Sequence, residues 1–228
     1  MNKYKNYHMY GLLAIVILIL VIIFSILYIG RQNTNGGETD IIKNTDNDSE
    51  VSAYLKEQNT ILADMMINMS VQESGSAELD FLIGIIPHHE AAIDITKSYL
   101  KYGGKNKELK KLAKEIIEEH SEETVEMRML LKEIERLAIT DKESERTYLN
   151  SYNKMIASHQ DMAHETETAS DVESAYIEGM VIHHQMAVDM AEAILKTTLH
   201  DEIKDMAEDI IEMQREEISQ MEEIFNDM

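Results

Sequence analysis

The sequence contains no cysteine, no tryptophan and a single proline among its 228 residues. Without cysteine the chain cannot form a disulfide, a cysteine-ligated zinc finger or a thiol nucleophile. Basic residues are also scarce: 21 lysines and arginines stand against 43 acidic residues, which gives a net charge of −22. Because this charge repels phosphate, the composition excludes the usual kind of nucleic-acid-binding protein and favours cations as partners.

Chain-breaking residues are few, with one proline and nine glycines, whereas Glu, Lys, Leu, Met, Ile and Ala are abundant. These residues favour helices, so the composition predicts an all-α protein. The residue types that are unusually frequent are methionine, with 16 residues, and histidine, with nine.

Residues 11–30 form an uninterrupted apolar run, about the length that crosses a bilayer as a helix. Lys3 and Lys5 precede this run and all acidic residues follow it, which places the N-terminus in the cytoplasm and the rest of the chain outside. We therefore expect residues 1–30 to be a cytoplasmic stub and a single-pass anchor in the cell membrane. The alternative is a cleaved signal peptide, but the sequence after the run lacks a small-residue cleavage site.

Residues 31–49 are rich in Asn, Asp, Thr and Gly, so we expect a flexible tether. Residues 50–228 repeat themselves at an offset of 94 to 95: Ile86-Pro87-His88-His89-Glu90, for example, recurs as Val181-Ile182-His183-His184-Gln185. Each unit is a module that must pack on its copy to close a core. The expected units are residues 50–140 and 141–228.

Glycine, serine and capping-box patterns divide the repeated region into six helices. The predicted helices cover residues 52–70, 77–102, 105–138, 141–167, 171–198 and 200–227. Their short connections predict an antiparallel bundle.

Helical spacing places His88 and His183 in the middle of the apolar face of the second helix of each unit, with His89 and His184 about 100° further round. A buried imidazole needs a partner, because an unpaired polar group costs about 1–3 kcal/mol. The candidate partners are Asp94, Asp189 or a bound metal ion. With carboxylate partners these would be ordinary core histidines.

Methionines accompany the histidines, and thioether sulfur with imidazole suits copper far better than magnesium or calcium. The candidate metal ligands are His183, His184, Met180, Met186, Met190, His159, Met162, Met155, His88 and His89. The second unit is the richer one, because Ile85 and Ile95 stand where it has Met180 and Met190. The alternative is that methionine simply fills an irregular core.

Two sequence elements, Ile86-Pro87-His88-His89-Glu90-Ala91-Ala92-Ile93-Asp94 and Gln214-x-x-Glu217-Ile218-x-x-Met221, resemble the signature of the domain of unknown function 305 family. The resemblance covers residues 50–228. It implies a ferritin-like helical bundle in a secreted or membrane-anchored bacterial protein. At least one family member is a copper-binding protein that contributes to copper resistance, so the resemblance implies an extracytoplasmic copper protein.

The first hypothesis is therefore a membrane-anchored protein that binds or buffers copper outside the cytoplasm and is not an enzyme. The second is a metal-dependent oxidoreductase in which Glu90, Asp94 and Glu217 share a metal with the histidines, although the Glu-x-x-His pairs of di-iron bundles are absent. The third is a structural or partner-binding bundle without metal.

Overall fold

A computed structural model describes residues 45–159 and 169–228. Within these ranges the chain forms six α-helices and no strand, so the all-α prediction is confirmed. The helices are α1 (Thr45–Asn68), α2 (Ala77–Tyr102), α3 (Lys107–Leu137), α4 (Lys142–Ser158), α5 (Val172–Leu195) and α6 (Asp201–Asn226). The expected anchor at residues 11–30 lies outside the described ranges, and none of the described helices is long and apolar enough to cross a membrane.

Helix starts are fixed by side chains that accept hydrogen bonds from the first free amides. Ser76 caps α2 and Asn106 caps α3. The caps of α4 and α5 are Asp141 and Asp171, so these helices begin one residue later than the predicted starts at 141 and 171. Aspartate, serine and threonine are all good N-cap residues. When two of them are adjacent, the sequence alone does not determine which one caps the helix.

The largest differences from the predicted bounds are at two helix ends. Helix α1 begins at Thr45, inside the stretch expected to be tether, because extending a helix that is already packed costs much less than starting one. Helix α4 ends at Ser158, not at residue 167. The Ser158 hydroxyl donates to the Met155 carbonyl at 2.8 Å and the His159 ring Nδ1 lies 2.9 Å from the same oxygen, so side chains satisfy the final turn.

Helices α2 and α5, which carry the histidine pairs, form the centre of the bundle and are buried on most faces. The ring of His88 contacts that of His183, and Tyr99 near the end of α2 stacks on Tyr176 near the start of α5 with ring centroids 4.2 Å apart. These two contacts show that α2 and α5 run antiparallel. Each is covered by the helix that follows it, α3 over α2 and α6 over α5.

Helix α2 approaches α4 most closely at Gly84. A methyl group added there would lie 2.8 Å from the Tyr152 hydroxyl, which donates a 2.6 Å hydrogen bond to the Met69 carbonyl. We expect Gly84→Ala to lower the free energy of unfolding by about 1–2 kcal/mol, because overpacking costs about 1–3 kcal/mol and exceeds the gain of about 1 kcal/mol in helix propensity. Urea denaturation measures this, and adding Tyr152→Phe should recover part of the loss. An unchanged midpoint would contradict the close contact.

Two buried carboxylates, Asp80 and Glu145, hold the loop between α1 and α2. The Ser74 amide donates to Asp80 at 3.2 Å and the Gly75 amide donates to Glu145 at 2.5 Å. Burial, together with the nearby Glu145 charge, raises the pKa of Asp80 to about 6.

This raised pKa predicts a pH-dependent stability. The folded state holds the Asp80 proton more tightly than the unfolded state. The contribution of this proton to the free energy of unfolding is therefore complete below about pH 4 and is lost as the pH rises through about 6. Asp80→Asn should flatten this dependence, with a gain of about 2 kcal/mol in the free energy of unfolding at pH 8. Denaturation at pH 4 and pH 8 tests this, with the exposed Asp64→Asn as the matched control. A variant that keeps the parent's pH profile would refute the assignment.

Candidate metal centre

Five histidines from three helices meet in the interior, and all are at least 99% buried. Their ring centroids form a continuous series: His88 and His89 are 6.0 Å apart, His89 and His120 4.9 Å, His120 and His184 5.4 Å, and His184 and His183 6.1 Å. We call these five residues the histidine cluster. The two His-His pairs predicted from the sequence therefore belong to one site, not to separate units.

Residues at equivalent positions of the two units contact each other within the cluster. The rings of His88 and His183 contact each other with centroids 3.7 Å apart and an angle of 32° between their planes. His120 and its counterpart Gln214 are joined at 2.9 Å between the two Nε2 atoms. Because equivalent residues meet only near a symmetry axis, the internal twofold axis of the duplication runs through the cluster.

Each unit adds one carboxylate, again at equivalent positions. Glu123 Oε2 lies 3.3 Å from His89 Nε2, and Glu217 Oε2 lies 2.9 Å from His184 Nε2. Two sets of three donors result, His89 with His120 and Glu123, and His120 with His184 and Glu217; within each set, one donor atom per residue lies within 4.8 Å of the others. His120 is common to both sets.

The His89 ring has a defined proton position. Its Nδ1 lies 3.2 Å from the Ile85 carbonyl oxygen. A carbonyl only accepts, so Nδ1 carries the hydrogen, and Nε2 is the ring nitrogen left to hold a metal ion or a second proton. That nitrogen faces the carboxylate of Glu123.

Burial sets the charge state of the cluster. It lowers the pKa of His88, His120 and His183 well below the ordinary value of 6.5, and the neighbouring imidazoles add to the effect. These rings are therefore neutral at neutral pH, the state in which imidazole binds metal. Among the described residues, the ring nitrogens of His88 and His183 find no hydrogen-bond partner of good geometry.

The methionines predicted as ligands on α5, Met180, Met186 and Met190, are fully buried on the helix that carries His183 and His184. Met155 on α4 is also buried. The predicted methionine and histidine ligands on α5 are therefore buried together in the interior of the bundle. Met162 lies outside the described residues.

Several predicted residues take other places. His159 is half-buried at the end of α4, where its ring contacts the Met155 carbonyl, and it belongs to neither donor set. The expected carboxylate partners Asp94 and Asp189 are wrong. Asp94 is exposed and pairs with Lys97, and Asp189 accepts from Gln185 on the surface, because six positions along a helix is a rotation of about 240° away from His88 or His183. Glu90 pairs with Arg128 at the surface.

The residues that sequence reasoning left out of the ligand set are His120 and Glu123 on α3. Both stand in the repeated element that contains Gln214 and Glu217, at an offset of 94. The recurrence of Glu123 as Glu217 on the buried face of an otherwise acidic, exposed helix was the signal that marked these carboxylates as interior groups.

The model of the domain of unknown function 305 (DUF305) matches residues 38–131 and 78–225. A structure of CopM in the Cu(II)-bound form is similar to this chain, with a TM-score of 0.51 and 28% identity over 66% of this chain and 96% of CopM. CopM in the Cu(I)-bound form gives 0.48 at the same identity and coverage. A DUF305 fragment from Deinococcus radiodurans gives 0.47 at 21% identity, covering 67% and 97%. No curated protein sequence matches the chain.

Proposed function

Because the chain belongs to the DUF305 family, we propose that it is a membrane-anchored, extracytoplasmic protein that binds and buffers copper through its histidine cluster, with Glu123, Glu217 and buried methionines as further donors. The anchor is residues 11–30, and the outside location follows from the lysines before it and the acidic residues after it.

The observation that carries the proposal is the contact between His89 and Glu123. His89 Nε2 and the Glu123 carboxylate oxygen lie 3.3 Å apart in a buried site, and this contact requires a positive charge, which is either a proton on the imidazole or a metal ion. A metal ion there would accept both donors, and His120 completes the set of three. The donor chemistry of the site fits a metal better than an apolar core.

Copper is favoured over other metals by the ligand types. Neutral imidazole suits copper, zinc, iron and nickel, whereas the thioethers buried on α5 select copper, above all Cu(I). The similarity to a Cu(II)-bound CopM supports the same metal. A surface with a net charge of −22 attracts cations of either oxidation state.

One geometric feature favours a second candidate, a metal-dependent oxidoreductase. Two donor sets share His120, and each includes a carboxylate, so two metal ions would lie close together as they do in dinuclear sites. In this case iron or manganese would be the metal, because carboxylates suit these ions.

Metal selection separates these functions. The full-length protein is freed of metal, dialysed against equal concentrations of copper, zinc, iron and manganese, and its bound metal is measured by mass spectrometry. We expect one or two copper ions per chain. Retention of iron or manganese instead would favour the oxidoreductase, and a chain that retains nothing would indicate a structural bundle.

Membrane anchoring is tested separately. The full-length chain should sediment with membranes. Protease added outside the cells should digest residues 50–228 when the outer envelope has been permeabilised and the cell membrane is still intact. Deletion of residues 1–30 should release the protein from the membrane pellet. A full-length chain recovered only in the soluble fraction would contradict the anchor.

A further inference from the structure

A cleft of about 260 Å³ lies between α3 and α6, next to the histidine cluster. Six carboxylates and three methionines line it, and none of its described lining residues is basic. We call it the acidic cleft, and its lining residues are Glu119, Glu122, Glu123, Glu126, Met127, Met206, Asp209, Glu212 and Met213.

The carboxylates of the acidic cleft repel one another. The cleft is thus a place where negative charge is concentrated without a positive group among its described lining residues. Such a site lowers the energy of an incoming cation.

The cleft leads to the buried histidines through one residue. Glu123 lines the cleft, and its Oε2 also lies 3.3 Å from Nε2 of the fully buried His89. Among the described groups that nitrogen has no hydrogen-bond partner of good geometry, and it faces the cleft carboxylate. Glu123 is therefore both the inner wall of the cleft and a member of a buried donor set.

Three methionines also line the acidic cleft. Met206 and Met213 are half-buried at the cleft. Met127 is fully buried and lies one helical turn after Glu123 on α3. Thioether sulfur binds Cu(I) and does not titrate, and it has little affinity for hard cations. The cleft therefore combines general attraction for cations with selectivity for a soft one.

We propose that the acidic cleft is the uptake site of the protein: a copper ion is captured by its carboxylates and thioethers and is then passed by Glu123 to His89 and His120. This inference rests on the proposed copper function and adds the route by which the metal reaches a fully buried site. It also assigns Met206 and Met213 a role in taking up Cu(I).

The first test changes the charge of the cleft without touching the buried donors. Glu122→Gln, Glu126→Gln and Glu212→Gln are combined in the full-length protein, and Cu(II) uptake is followed by stopped-flow absorbance. We expect association to slow by about tenfold and to lose most of its dependence on salt, because steering by charge accounts for rate gains of this size or more. Equilibrium affinity should change much less than the rate.

The matched control lies in another groove between the same two helices. Glu108→Gln, Glu223→Gln and Asp227→Asn remove the same number of exposed charges from a groove that contains no methionine. This variant should take up copper within about twofold of the parent, since its charges lie outside the uptake cleft. If both triple variants slow uptake equally, the effect is one of net charge, and the uptake site is refuted.

The second test separates the methionines from the charges. Met206→Leu with Met213→Leu should slow the uptake of Cu(I), supplied under anaerobic conditions from a chromogenic chelator, and leave Cu(II) uptake unchanged. Parent-like Cu(I) rates would remove the thioethers from the route. A parent protein that binds no copper in either form overturns the proposed function itself, whereas a parent that binds and variants that load equally fast overturn only the route.

Discussion

Replacing His120 with glutamine should produce the largest loss of copper binding of any single change in the protein. His120 belongs to both donor sets, so its removal leaves each set with one imidazole and one carboxylate. The affinity loss should exceed the roughly 10–100-fold that is typical when only an outer partner of a metal ligand is removed. Competition titration against a chelator of known affinity measures this loss.

The glutamine substitution also preserves the fold. Gln214, the equivalent residue of the second unit, already bonds to position 120 across the axis, and a glutamine there can bond to it in turn. His200→Gln is the matched control, because His200 lies at the start of α6 away from the cluster and pairs with Glu202. If His120→Gln keeps helicity and binds copper as the parent does, then the donor sets are not the copper site.

The second large effect is a gain in stability on removing two histidines. His88→Leu combined with His183→Leu should raise the free energy of unfolding of the metal-free protein by about 1–3 kcal/mol. The reason is that buried ring nitrogens without partners carry an unrecovered desolvation cost, and replacing both rings by apolar groups of similar size removes it. The same variant should bind copper more weakly, since two imidazoles of the cluster are lost.

Chemical denaturation of the metal-free protein measures this gain, and a rise of about 2–12 °C in the melting temperature would accompany it for a domain of this size. Ile85→Leu, a volume-conserving change one turn from His88, should leave stability nearly unchanged. A double variant that is less stable than the parent would show that His88 and His183 are satisfied core residues, as the structural-bundle hypothesis requires.

The fold was predictable wherever local chemistry decides it. The bounds of α2 agree with the prediction because Ser76 and Gly103 stop the helix on both sides. The end of α4 was not predictable, because Ser158 and His159 are acceptable within a helix and terminate it only through their bonds to the Met155 carbonyl. The start of α1 was missed because its first residues are polar, as in a tether. Composition alone does not show that they continue directly into a packed helix.

The candidate site was predictable in its residue types but not in its assembly. Helical periodicity correctly placed His88 and His183 in the core. The carboxylates named as candidate partners, Asp94 and Asp189, lie on the same helices as the histidines, whereas the structure supplies Glu123 and Glu217 from the following helices. A repeat in sequence does not reveal which faces of its two copies meet, so the convergence of both units on one cluster required the three-dimensional arrangement.

The bond between His120 and Gln214 has an evolutionary consequence. In a homodimer of identical half-length chains, the two residues facing each other across the axis must be the same, so every change occurs twice. Fusion into one polypeptide removes this restriction, and an amide can face an imidazole at 2.9 Å. The fused chain can therefore carry an odd number of imidazoles around its axis. A single codon change at position 214 would alter that number without disturbing the matching position 120.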